Sequence, residues 1–146
     1  LVEIKTSNVR GRGGAGFPKG LKLEFCRKAK SDVKFIICNG DEGDPGAYSD
    51  RYLLEQRPHS VLFGMLVSGY VTFANYGIVY IRAEYPEALS IVQNAIDDLR
   101  AISLVGKNIQ GSGFDFDFKT LEAINLSSLS PLIFSMATNF SEKLDP

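Results

Sequence analysis

Apolar residues recur along this chain with two different periods. Val61, Leu62, Met65, Leu66 and Val71 fall at three- to four-residue steps, which predicts a helix over 58–74. Leu89, Val92, Ala95, Ile96 and Leu99 form a second such stripe, and Pro86 suits the first turn of the helix that carries it. Leu21, Phe25 and Ala29 share one face of a shorter predicted helix, 21–29. Period two appears in Phe114-Asp-Phe-Asp-Phe118, the pattern of a half-buried strand. Phe35-Ile-Ile-Cys38 and Ile78-Val-Tyr-Ile81 are short apolar runs, both predicted as strands, the second over 78–82. Ser49 is placed to cap a short helix over 50–56.

Loops separate these elements. Residues 11–20 hold five of the fourteen glycines, a density that excludes regular structure and favours close approach of backbone to a ligand. Residues 39–46, Asn-Gly-Asp-Glu-Gly-Asp-Pro-Gly, form a second loop, and 106–113 a third. Residues 1–10 read as a short helix or an extended lead-in. Strands separated by helices predict an α/β layer with at least partly parallel strands. From Lys119 the character changes and serines accumulate, so 1–118 is expected to be the domain and 119–146 a divergent tail.

Pro58 to Ile81 contains no Asp, Glu, Lys or Arg, and a run of that length is enough to cross a bilayer. Ser60, Gly64, Ser68, Gly69, Thr72 and the Asn75-Tyr76-Gly77 turn interrupt it, so helix followed by strand in a soluble core is the better account. Direct membrane insertion is not expected. The 146 residues suffice for one core, and 45% hydrophobic with 23% charged residues is a globular composition. A net charge of −1 argues against nucleic acid as a partner. Cys26 and Cys38 make no metal spacing, and the lone His59 completes none, so no metal site is expected. No signal peptide is visible and nothing demands a disulfide, which points to a reducing, cytoplasmic location. The chain does not begin with Met, which fits a segment of a longer protein.

Charge is divided along the sequence. Residues 1–34 carry nine Lys/Arg against three acids, and residues 35–59 carry five acids against two Arg. A glycine loop with Arg12, Lys19 and Lys22 beside it suits a phosphate or diphosphate. An acidic loop just after a strand suits ribose or ribityl hydroxyls and ring N–H donors. Together they suggest a nucleotide or a flavin; the plain alternative is ordinary turns and solvated faces. Gly11-x-Gly13-x-x-Gly16 matches the dinucleotide fingerprint in form, but no apolar strand precedes it. Phe17 and Phe25 either stack on an aromatic ligand or pack the loop down.

Longer motifs carry a resemblance. Arg10-Gly-Arg-Gly-Gly-Ala-Gly-Phe-Pro-Lys-Gly-Leu-Lys22, Cys38-Asn-Gly-Asp-Glu-Gly-Asp-Pro-Gly-Ala-Tyr-Ser-Asp-Arg51, Pro58-His59, Tyr80-Ile-Arg-Ala-Glu-Tyr-Pro86 and Gly106-Lys-Asn-Ile-Gln-Gly-Ser-Gly-Phe-Asp-Phe-Asp117 occur in order. Over about residues 4–118 the chain resembles the NADH-oxidising flavoprotein subunit of respiratory complex I. That family includes the diaphorase subunits of NAD-reducing hydrogenases and NAD-dependent formate dehydrogenases, whose wording the Asp-Pro-Gly-Ala and Ala-Glu-Tyr-Pro segments resemble more.

The resemblance implies a Rossmann-like layered α/β domain, with a mostly parallel sheet and flanking helices, incomplete at its C-terminus. It implies FMN and NAD(H) as cofactors, hydride passing from NADH to FMN, and electrons leaving through iron–sulfur clusters in other domains and partner subunits. By motif position Gly11, Arg12, Gly13 and Lys22 would line the FMN, and Asn39, Asp41 and Glu42 would bond the flavin or its ribityl chain. Glu42 is also the residue implied as catalytic. Gly14, Gly16, Phe17 and Phe25 would meet NADH, the two rings enclosing adenine, and Asp44 would contact the dinucleotide. The location implied is the cytoplasm, or the cytoplasmic or matrix face of a membrane complex. The chain departs from the family pattern at Lys19, Leu23 and Gly40, usually Thr, Trp and Ala. Beyond Lys119 it lacks the expected Gly-Ala-Gly and Cys-Gly-Glu-Glu segment that closes over the flavin. A truncated remnant that keeps the fold, without a working flavin site, is the alternative expectation.

Overall fold

The computed structural model describes residues 1–12 and 15–122. The elements are α1 (Val2–Thr6), α2 (Lys19–Lys28), β1 (Phe35–Gly40), α3 (Ser49–Gln56), α4 (Pro58–Thr72), β2 (Tyr76–Ile81), α5 (Pro86–Ala101), a 3-10 turn at Ile109–Gly111, and β3 (Asp117–Glu122). The strands form one sheet in the order β1-β2-β3, both pairs parallel, with Phe35 opposite Tyr76 and Tyr76 opposite Asp117. Parallel pairing requires crossovers, and the helices supply them. The expected α/β class with a mostly parallel sheet and flanking helices is therefore the observed one.

One face of the sheet receives the helices. Ile36 and Cys38 of β1, Val79 and Ile81 of β2 and Phe118 of β3 join a cluster with Leu62 and Met65 of α4 and Ala88, Val92, Ala95 and Ile96 of α5. Val92, Ala95 and Ile96 belong to the stripe read from the sequence, whose Leu89 and Leu99 pack against the cluster partly buried, while Ala88 lies outside that stripe. On the opposite face Ile37 is half exposed, and Tyr76 and Lys119 are exposed.

Two glycines make room for the rings of Phe116 and Phe118, and Phe116 lies between them, against α4 on one side and β2 on the other. A Cβ on Gly69 of α4 would lie 2.7 Å from Cδ2 of Phe116, and one on Gly77 of β2 would lie 2.6 Å from Cδ1 and Cε1 of Phe118. Phe116 and Phe118 are almost fully buried, and their rings meet edge-on at 5.1 Å. Fully burying such a side chain contributes on the order of 1.5–3 kcal/mol. The uncharged run Pro58–Ile81 is thus a core helix and a central strand. Among the described residues no helix is long and apolar enough to cross a membrane.

Several boundaries differ from the pattern. α4 stops at Thr72 because Phe73 turns left-handed, at φ 59°, and the Ala74 amide closes on the Gly69 carbonyl. The Arg27 guanidinium donates to the Val71 carbonyl and stacks on the Phe73 ring, securing this end. The Phe114–Phe118 alternation marks a buried edge, but the strand proper is Asp117–Glu122. Phe116 pairs antiparallel with Gly106, closing the preceding loop before the chain joins the sheet. The sheet therefore takes in Lys119–Glu122 as well.

The glycine spacing predicts opposite effects at two sites. Gly77→Ala should destabilise the chain by about 1–3 kcal/mol through overpacking. Gly64→Ala, on a helical site whose added methyl meets nothing within 4 Å, should stabilise it by up to about 1 kcal/mol. Urea unfolding of both variants checks the pair; equal effects would refute this account of the layer spacing.

Candidate functional site

The acidic loop leaves the sheet at the carboxyl end of β1, the end where ligands settle in parallel α/β sheets. Gly40, its last strand residue, is buried. A Cβ there would sit 2.9 Å from Leu54 Cδ1 and 3.0 Å from the Tyr80 carbonyl oxygen. Asn39 then turns the chain, its side-chain oxygen accepting the Asp41 amide at 3.1 Å. Asn39, Asp41 and Asp44 are exposed.

Glu42 points the other way. It is buried, and its carboxylate accepts the Ser49 hydroxyl at 3.1 Å, the Asp50 amide at 3.1 Å and the Arg51 amide at 3.3 Å. No side chain adjacent in sequence caps α3. Ser49, expected as the cap, is instead the first helical residue, and Glu42 satisfies the orphan amides from seven or more positions upstream. Burial alone would raise the Glu42 pKa, but the amides of Asp50 and Arg51 and the Ser49 hydroxyl outweigh it and hold the carboxyl below its ordinary value.

Arg82, directly after β2, completes the loop's attachment. Its guanidinium donates to the Glu42 carbonyl and to Glu84, at 2.8 Å from Nε and 3.3 Å from Nη2. Arg82 lies within the Tyr80–Pro86 motif, to which the resemblance attaches no role at this position. Its place at the carboxyl end of the central strand was the available signal. Cys38, facing the helices in β1, has its thiol pKa pushed up by burial and further by the Asp50 charge.

The glycine loop is a closed hairpin. The Gly11 amide donates to the Phe17 carbonyl at 2.9 Å, the Lys19 amide to the Val9 carbonyl at 2.9 Å, and Arg10 to the Gly16 carbonyl at 3.2 Å. Gly16 is left-handed, at φ +60°, with nothing within 4 Å of an added Cβ. Gly13 and Gly14 lie outside the described residues. The hairpin feeds directly into α2, whose N-terminus no side chain caps. Gly20 lets α1 press against it, since a Cβ there would lie 2.7 Å from Lys5 Cγ. Arg12 and Lys22 are exposed, and Phe17 and Phe25 are 47% and 57% exposed. The Leu21–Phe25–Ala29 face of α2 is exposed, while Gly20 and Leu23 are buried.

α2 is tied to the rest of the fold through the end of α4. Arg27 on the last turn of α2 bonds Val71 on the last turn of α4, and Lys34 donates to the Thr72 carbonyl at 3.3 Å. The C-terminal ends of α2 and α4 thus meet near the starts of β1 and β2. Among the described residues no hydrogen bond or ion pair joins Arg12 or Lys22 to Asn39, Asp41, Glu42 or Asp44. Among those residues, too, no group of three or more His, Cys, Asp or Glu side chains could hold a metal ion.

Comparison with known proteins gives consistent likenesses. The Nuo51 FMN-binding domain model matches residues 4–121. The chain is 53% identical over 116 residues to the NADP-reducing hydrogenase subunit HndC of Solidesulfovibrio fructosivorans, covering 80% of this chain and 24% of that protein. It is 45% identical over 120 residues to the NAD-reducing hydrogenase HoxS subunit alpha of Cupriavidus necator, covering 82% and 20%. It is 44% identical over 121 residues to the mitochondrial NADH-ubiquinone oxidoreductase 51 kDa subunit of Neurospora crassa, covering 80% and 24%. A crystal structure of NAD+-reducing [NiFe]-hydrogenase in the air-oxidized state superposes with a TM-score of 0.71 at 30% identity, over 91% of this chain and 22% of that one. The chain thus spans about a quarter or less of the length of these relatives.

The Glu42 anchor has a pH signature. Its folded pKa lies below the ordinary value of about 4.3, so its contribution is complete above that value and is lost as pH falls through the folded pKa. Stability from urea melts should fall between about pH 5 and pH 2. Glu42→Gln should be less stable at neutral pH and fall less steeply. Glu24, Glu84 and Asp115, also held low by their cationic partners, leave the variant a residual slope. Parallel curves for the two proteins would remove Glu42 from the account.

Proposed function

The chain belongs to the Nuo51 FMN-binding domain family, and we propose that it is the FMN- and NADH-binding part of an NADH dehydrogenase (diaphorase) subunit. The observation that carries this reading is an acidic loop at the carboxyl end of a parallel sheet, in a chain that also carries a cationic glycine hairpin. A cationic glycine hairpin opens α2, and an acidic loop with exposed Asn39, Asp41 and Asp44 leaves β1. The first suits phosphate and the second suits hydroxyls and ring N–H groups. The relatives are named as subunits of hydrogenases and of a ubiquinone oxidoreductase, and those names specify NAD, NADH or NADP.

The chemistry that bound FMN supplies is acceptance of a hydride and release of electrons one at a time. The chain's own residues bind and orient. Gly11, Arg12, Gly13 and Lys22 would hold the phosphate end, with Lys22 and the loop amides as donors. Asn39 and Asp41 would take the ribityl chain and ring. Gly14, Gly16, Phe17, Phe25 and Asp44 would seat NADH, the two exposed rings enclosing adenine. The role expected for Glu42 is carried in this reading by the loop it anchors, since both its carboxylate oxygens are committed to α3. Fixing two redox partners in contact is where such a site contributes to rate. The domain is taken as 1–118 with β3 running on to Glu122, electrons pass to iron–sulfur subunits, and the site faces the cytoplasm or matrix.

Titration of FMN into the purified chain, followed by flavin fluorescence quenching, tests this reading. Saturable quenching is expected, weakened about tenfold or more by Lys22→Ala and by Asp41→Ala, as for loss of a charge-assisted hydrogen bond. A chain that unfolds cooperatively but quenches no flavin would be a fold retained without its site.

A further inference from the structure

We propose that Arg82 is a positioning residue for the acidic loop. Its guanidinium, oriented by Glu84, holds the Glu42 carbonyl and so fixes where Asp41 and Asp44 stand at the carboxyl end of the sheet. The proposal rests on the flavin reading above and extends it to a residue outside the ligand-facing set.

The geometry is a two-sided clamp on one residue. Gly40 and Ile81 are register partners, so Asp41 and Arg82 are the first residues to leave two adjacent strands. On one side of the loop the Glu42 side chain is tied to α3 through Ser49, Asp50 and Arg51. On the other, the Glu42 main chain is tied to the central strand through Arg82. Asp41 and Asp44 flank this doubly held residue and are exposed. Exposed carboxylates on a loop of this glycine content, with Gly40, Gly43 and Gly46, have no packing of their own to fix their direction.

Arginine suits this task. A planar fork satisfies Glu84 with one edge and still presents an N–H to the carbonyl; a lysine ammonium is a point charge without that geometry. The Arg82 side chain is about one-third exposed, so its charge remains solvated while its donors stay engaged. The guanidinium is made more basic chiefly by Glu84, against partial burial, with Tyr85 and Asp41 adding smaller effects.

The test uses the full chain with Arg82→Met, which keeps the stem and removes the donors, and Arg82→Lys, which keeps the charge. Hydrogen exchange of the Asp41, Ala47, Asp50 and Arg51 amides, each bonded within or beside the loop, reports loop order without any ligand. In Arg82→Met these amides should exchange at least about tenfold faster, while those of β2 and α4 keep their wild-type protection. FMN affinity should fall about tenfold or more, with Arg82→Lys in between. Unchanged loop exchange, or FMN affinity within about twofold of wild type, overturns the proposal. Loss of protection in β2 and α4 as well overturns it in favour of a general folding role. If the unaltered chain binds no FMN, the flavin reading fails by that titration, and loop exchange alone decides whether Arg82 holds the loop.

Discussion

Phe116, held between Gly69 of α4 and Gly77 of β2 with Phe118 beside it, sets the distance between the helix layer and the sheet. Each ring occupies space that any side chain at the facing glycine would take. The consequence runs in both directions along β2. Toward its start, α4 must end in a tight left-handed turn so that Asn75 can accept the Lys34 amide and begin the pairing with β1. Toward its end, the close register carries Gly40 and Ile81 to the same level. Residues 41 and 82 then depart side by side, and that adjacency allows a guanidinium on one to reach the carbonyl of its neighbour's loop.

The two loops of the site are held by different physics. The glycine hairpin is closed by its own backbone, with Gly11, Phe17, Val9 and Lys19 exchanging hydrogen bonds, and presents cations. The acidic loop makes few bonds of its own. It hangs from a buried carboxylate, a guanidinium and an Asx turn, and presents anions. Opposite signs on two independently built segments suit a ligand with a charged end and a polar, uncharged body.

Much of the architecture was legible because periodicity reports burial directly. The α5 stripe is the face that packs, and Val61, Leu62, Met65 and Leu66 contribute to the core as their spacing implies. What misled was chemistry acting over distance. Ser49 looked like a cap because it precedes a helix, but the cap function came from Glu42 across a loop. The Phe114–Phe118 alternation placed a strand three residues early, because Phe116 is buried by a bridge to Gly106 before the sheet begins. Glycine and charge patterns marked both site loops, and the longer motifs marked their order. Arg82 was inside one of those motifs, yet its partner stands forty positions upstream, beyond any local pattern. Glu42 was read for its charge, while its burial, which decides where that charge is used, is a tertiary property.

The parallel register has a kinetic side. Phe35 pairs with Tyr76, and Tyr76 with Asp117, so each step of the sheet closes a loop of about forty residues, the kind of distant pairing that folds slowly. The rings that cover Gly69 and Gly77 belong to the last strand and the bridge before it, and they emerge from the ribosome after the charge-free segment Pro58–Ile81 that they shield. During synthesis that segment waits, apolar and uncovered, for a lid encoded some forty residues later, which is the circumstance in which nascent chains associate wrongly or recruit chaperones. The feature that makes the finished core compact is therefore also the one that makes its assembly late.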